Sequence, residues 1–219
     1  MISQTVGVPA DVVTLAGDLD VPESPLAAAV CAYGLDSSRL DPRSRTVAAE
    51  LRSAGIGTLS LDLLSEREDA TTLRTADQRF DVGLLGRRVV AAVDWLTAQP
   101  DLRGLPVALL GAGIESAAVL RAAADLPDRV RTAVVWAGRP DLAGDDLRRV
   151  RVPVLIIAGD RDDGVLRTNQ RAAQSLGAPH SVRVIAGANR LFEEPGAWEE
   201  AVAMAKEWCL DRMGGEGAR

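Results

Sequence analysis

The period of apolar positions changes several times along the chain, and the changes mark out its elements. Residues 12–15 and 19–21 have strand character, with Gly17-Asp18 between them. Residues 26–33 (LAAAVCAY) form an unbroken apolar run, the pattern of a strand covered on both faces. Asp41-Pro42 opens a helix, Asp as a cap and Pro in the first turn, and that helix ends at Gly55. Residues 56–62 alternate as a strand, and 64–78 are polar and charged, a surface loop or loose cap. Residues 80–98 carry Val82, Leu85, Val89, Val93 and Leu96 at helical spacing and stop before Pro100. Strands over 105–110, 130–136, 153–158 and 181–185 then alternate with helices over 114–124, 165–176 and 198–213. Residues 214–219 read as a frayed tail.

Strands alternating with helices predict a three-layer α/β/α sandwich with a mostly parallel, twisted sheet and no large cap domain. The first two strands have no helix between them and are expected to form an antiparallel edge. Neither a repeat nor a linker interrupts residues 1–219, which read as one domain.

Composition narrows the function classes. A net charge of -6 argues against non-specific nucleic-acid binding, which needs a basic surface. No apolar run is long enough to cross a bilayer, and residues 1–11 lack the basic start and apolar core of a secretory signal. Cys31 and Cys209 are too few and too far apart for a disulfide framework and read as free thiols. With a single histidine and no CxxC pair, the usual Cys/His zinc site is nearly excluded. These readings predict a cytoplasmic monomer or homodimer, without metal or cofactor, that meets a small molecule rather than nucleic acid or membrane. Lys206 is the only lysine, so arginine is the default basic residue and any one arginine is weakly informative.

Gly111-Ala112-Gly113-Ile114-Glu115-Ser116 follows a buried strand and opens a helix, the setting of the G-x-S-x-G nucleophile elbow. Ser37-Ser38-Arg39, Phe80-Asp81, Gly138-Arg139-Pro140-Asp141-Leu142 and Leu191-Phe192-Glu193-Glu194-Pro195-Gly196 accompany it. With the order of elements, these motifs make the chain resemble the small dienelactone-hydrolase-like proteins of the α/β-hydrolase superfamily. The resemblance implies the fold over nearly the whole chain, and it implies where the active positions fall. The elbow serine corresponds to Gly113 and the second elbow glycine to Glu115. The His-Gly that ends the oxyanion strand reads Tyr33-Gly34. The acid loop is kept as Gly159, Asp162 and Val165. The histidine loop reads Gly187-Ala188-Asn189-Arg190-Leu191-Phe192, with Arg190 at the histidine position.

Acyl transfer on this fold needs an oxygen nucleophile, a base and an acid to orient the base. Gly113 has no side chain, and Arg190 cannot serve as an ordinary base because a guanidinium holds its proton. His180 precedes the last strand, at the wrong end of the sheet to replace it. Ser116 lies three residues past the elbow with no histidine nearby. What would remain is a helix N-terminus whose N–H groups can polarise a carbonyl, with Gly34, Gly113 and Ile114 lining room for a ligand. Tyr33, Glu115, Asp162 and Arg190 are the groups that could converge there. Arg190 is expected to pair with Asp162 and plug the old triad. Glu115 either favours the helix dipole or faces the cavity as an acid/base. Tyr33 either stacks in the loop or donates its hydroxyl.

Three functions stay open at this point. One is a repurposed lyase, isomerase or cyclase working by proton transfer on a small carbonyl compound. A second is a non-catalytic ligand-binding protein. The third is a hydrolase of dienelactone or ester type acting through an activated water.

Overall fold

The structure, a computed structural model, describes residues 1–34, 37–65, 67–68 and 81–214. Its framework is an eight-stranded sheet in the order β1-β2-β4-β3-β5-β6-β7-β8. The strands are β1 (Ile2–Ala10), β2 (Val13–Val21), β3 (Ala27–Tyr33), β4 (Ile56–Asp62), β5 (Val107–Ala112), β6 (Val130–Trp136), β7 (Val154–Gly159) and β8 (His180–Ile185). From β4 to β8 every neighbouring pair is parallel, whereas β2 runs antiparallel to both β1 and β4.

The antiparallel edge is therefore present, but it is built differently from the expectation. Residues 13–21 form one strand through Gly17-Asp18, and its partner is β1, to which the sequence pattern assigns no strand. Gly17 is tolerated because the side chains of Leu59 and Leu61 lie where a β-carbon would point. β3 and β7 are buried along their whole length, as their unbroken apolar runs require, and β5 is buried up to its last residue.

The helices are α1 (Pro42–Ser53), α2 (Val82–Ala98), α3 (Glu115–Asp125), α4 (Asp163–Ser175) and α5 (Ala197–Met213). One core joins one sheet face to residues of α2, α3 and α4, including Val89, Val93, Leu120 and Ala172. The other joins Cys31, Leu110, Val134 and Ile157 on the opposite face to Val47 and Leu51 of α1 and Val202 and Cys209 of α5. These are the three expected layers. Asp41 stands at the N-cap of α1 without capping it; its carboxylate accepts instead from the Ser38 N–H at 2.8 Å. Most of the expected 64–78 loop, the Phe80 of the Phe80-Asp81 motif and residues 215–219 lie outside the described residues.

β3 leads through α1 to β4 on one side, while β5 lies on its other side. That reversal places a crevice at the C-terminal ends of β3 and β5, the position where open α/β sheets bind ligands. Parallel registry aligns Ala32 with Gly111 and Ala112 with Trp136, so β3, β5 and β6 end at one level.

Candidate functional site

The turn from β5 into α3 has the geometry of an elbow. Gly113 sits at φ +57°, in the left-handed region where a residue with a β-carbon is strained, and Ile114 leads straight into α3. The first helical residue, Glu115, is only 4% exposed. Its side chain folds back across the turn. A β-carbon built on Gly34 would lie 1.8 Å from one carboxylate oxygen, and one built on Gly113 would lie 3.4 Å from the other. Gly34 therefore vacates the space that the Glu115 carboxylate fills, and the carboxylate sits over Gly113.

A cavity of about 500 Å³ opens above this turn, within the size range of small-molecule sites. Tyr33, Gly113, Glu115 and Arg190 all line it. Trp136, Phe192 and Trp198 form an aromatic wall, with Trp136 and Trp198 edge to face at 6.1 Å and Phe192 6.4 Å from Trp198. A larger groove of about 730 Å³ lies beyond Gly34, but Tyr33, Gly113 and Arg190 do not line it. Of its charged groups, Arg39 pairs with Asp62 and also reaches Asp18 outside the groove.

Tyr33 reaches the cavity with its ring, but its hydroxyl donates to the Ser44 carbonyl of α1 at 3.4 Å, a long bond. Burial, with Cys31 beside it, pushes the phenol well above its usual range, so it remains a neutral donor. Ser116 is fully buried beneath the elbow and donates to the Gly113 carbonyl, close against Gly138, which removes it as a displaced nucleophile. His180 opens β8 at the opposite end of the sheet, its Nδ1 3.0 Å from the Ala178 carbonyl. Ile114 turns its side chain to the core rather than to the cavity.

The expected Arg190–Asp162 plug is absent. Asp162 is the N-cap of α4 and accepts from the Val165 N–H at 3.1 Å, so its carboxylate serves the helix. Arg190 is exposed on the cavity side, and among the described residues it forms no salt bridge. The loop carrying it is held from two directions. Asn189 accepts from the Leu191 and Glu193 N–H groups and donates to the Glu193 carboxylate. Arg43 of α1 donates to the carbonyls of Leu191 and Phe192 and lies over the Trp198 ring at 5.2 Å. Phe192 itself is buried at φ +53°, a backbone conformation that this bracing holds in place.

Arg43, Trp136 and Trp198 are site residues that sequence reasoning did not single out. Each sits at the end of its element nearest the cavity, the first turn of α1, the last residue of β6 and the first turn of α5. Among the described residues no group of three or more His, Cys, Asp or Glu could hold a metal ion. Among them, too, no helix is long and apolar enough to cross a membrane.

Comparison with known proteins agrees with this geometry. The chain is 43% identical over 214 residues to a Mycobacterium tuberculosis (strain H37Rv) protein named "Putative phosphoribosyl transferase", covering 98% of this chain and 47% of the relative. It thus spans about half the length of the curated relatives it matches. Among solved structures, a dienelactone hydrolase from Anabaena variabilis superposes with a TM-score of 0.92 at 40% identity, covering 97% of this chain and 98% of that one. A dienelactone hydrolase-like promiscuous phosphotriesterase from metagenomic libraries shares the fold, with a TM-score of 0.79 at 21% identity, 97% of this chain and 99% of that chain being covered. The model of the dienelactone hydrolase family matches residues 44–214, and with the 40% identical structure this shows that the chain belongs to the dienelactone hydrolase family.

Proposed function

We propose that this protein uses the family's cavity without a covalent nucleophile, as a proton-transfer enzyme acting on a small carbonyl compound, with Glu115 as the acid/base. The observation that carries the reading is the placement of Glu115: a carboxylate 4% exposed, lining the cavity and lying over Gly113. Where the family's pattern expects a serine there is no side chain, and where it expects a histidine there is Arg190. A fixed carboxylate at the elbow also opposes the negative charge that an acyl-transfer oxyanion would bring to the same corner. Enolate chemistry fits the corner better. Glu115 takes a proton from the carbon next to a carbonyl, and the C–H electrons move onto the carbonyl oxygen. The carboxylate charge is thereby transferred to the substrate as it forms, within reach of the α3 N-terminus and the Arg190 guanidinium. Returning the proton to another carbon isomerises the substrate, and loss of a neighbouring group completes an elimination.

Asp162, committed to the α4 cap, holds structure in this reading, and Tyr33 serves as a wall. The phosphoribosyl transferase name belongs to a chain about twice as long and is not carried to this cavity. The test is deuterium exchange in D₂O, followed by proton NMR over a panel of small ketones, lactones and keto acids. The wild type should accelerate α-proton exchange in at least one panel member, and Glu115→Gln should cut that rate by about 10²–10⁴. A wild type that accelerates none, or a variant that exchanges equally fast, overturns the assignment. Ligand binding without turnover is the second reading, favoured by the commitment of the Tyr33 hydroxyl to Ser44. Saturable binding with no exchange would mark it.

A further inference from the structure

The inner end of the cavity has a polarity that constrains its ligand, and the constraint deepens the proposed function by naming the group that must enter first. The floor is the Glu115 carboxylate, backed by Gly34 and seated over Gly113. A carboxylate accepts hydrogen bonds and donates none, and its two oxygens offer about four acceptor positions. It can therefore face a ligand while keeping any bond it makes within the protein. Around it stand Tyr33, whose hydroxyl is turned to Ser44, and the aromatic wall of Trp136, Phe192 and Trp198. Arg43, from the α1 first turn, and Arg190, from the 187–192 loop, also line the cavity, and both are exposed. The floor thus offers a ligand acceptor positions rather than donors. A neutral hydroxyl donor meets an acceptor with little competition from water.

We infer that the cavity selects flat aromatic or conjugated compounds that present a hydroxyl, an enol or a phenol, to Glu115. Such a ligand slides its ring along the tryptophans and donates its O–H to the floor. This also suits the proposed chemistry, because the enol is the tautomer that a carbonyl substrate becomes when Glu115 moves its α-proton.

Binding tests the inference without any turnover. The probes are 4-methylphenol and its methyl ether, which have nearly the same ring and lack all charge, so the arginines at the mouth do not discriminate between them. Quenching of tryptophan fluorescence and calorimetry read the affinities. In the wild type, 4-methylphenol is expected to bind at least tenfold tighter than the ether. Glu115→Met, which keeps the length of the side chain and removes the acceptor, should erase that preference by weakening the phenol alone. Glu115→Asp, which keeps the charge and withdraws it by one methylene, should keep the order at lower affinity. Equal binding of the two probes by the wild type, or no binding of either, overturns the inference, whatever happens to the variants. An unchanged preference in Glu115→Met overturns it as well. A phenol preference with no proton exchange anywhere in the carbonyl panel would leave this inference standing and remove the proposed enzyme function. Exchange of aliphatic ketones with no phenol preference would do the reverse.

Discussion

A serine placed at residue 113 is expected to fit the elbow yet fail to make an esterase. The left-handed backbone there, φ +57°, costs a residue with a β-carbon about 1–2 kcal/mol. The β-carbon would meet one Glu115 oxygen at 3.4 Å, an ordinary contact, so the side chain has room. Two obstacles remain after the nucleophile is present. Arg190 offers no base, and Glu115 sets a negative charge beside the developing oxyanion. Two unit charges about 4 Å apart in an effective dielectric of about 20 repel by roughly 4 kcal/mol, on the order of a thousandfold in rate. The assay is p-nitrophenyl acetate hydrolysis through a stepwise series. Gly113→Ser alone should stay within about tenfold of the wild type. Adding Arg190→His supplies a base and should raise the rate only modestly. Adding Glu115→Gly as well should give the largest single step, about 10²–10³, the size of a typical oxyanion contribution. Rapid turnover with an acyl-enzyme burst from Gly113→Ser alone would refute the reading of Arg190. A double variant as fast as the triple would refute the electrostatic role given to Glu115.

Other substitutions probe the supports of the site. Gly34→Ala should displace the Glu115 carboxylate, because the new methyl would lie 1.8 Å from Oε1; the expected result is a stability loss of about 1–3 kcal/mol by denaturant unfolding, together with loss of the proton exchange. Arg43→Ala should speed amide exchange at residues 190–193 by at least tenfold and leave the β-strands protected, since Arg43 holds the Leu191 and Phe192 carbonyls. Tyr33→Phe should cost about 1 kcal/mol or less in denaturant unfolding, the bond to Ser44 being 3.4 Å long. Burial pushes the Glu68 carboxyl up, but hydrogen bonds from Arg88 and Ser65 outweigh it and bring it from 4.5 to about 2. A lowered carboxylate contributes stability that is complete above pH 4.5 and lost as pH falls toward 2, here up to roughly 3 kcal/mol. Arg88→Met should therefore flatten the acid limb of the stability–pH curve in that window.

Much of the architecture was legible because it depends on continuous apolar runs. The run at 26–33 could be satisfied only between two helical layers, and it became β3, buried along its length. β1 was not legible because it is a half-exposed edge strand with Ser3, Gln4 and Thr5 facing solvent, so its pattern carries little apolar signal. Gly17-Asp18 read as a break because glycine and aspartate usually punctuate; here the glycine makes room for two leucines and the aspartate pairs with Thr5 and Arg39.

At the site, Glu115 and Arg190 were identifiable by motif, since each stands at a position defined by its neighbours in sequence. The pairing of Arg190 with Asp162 failed because motif adjacency does not reveal that a carboxylate at a helix start is taken up by the helix N–H groups. Arg43, Trp136 and Trp198 come from three separate elements, and only the sheet register and the packing of α1 and α5 bring them together. Such a wall leaves no local spacing to read.

The measurement that bears most directly on a nucleophile-free cavity is intact-protein mass after treatment with a fluorophosphonate probe, read beside a family member that keeps its serine. The wild-type protein should show no adduct under conditions that label the serine-bearing relative completely. A stoichiometric adduct on any serine lining the cavity, lost when the protein is unfolded before treatment, would contradict the account.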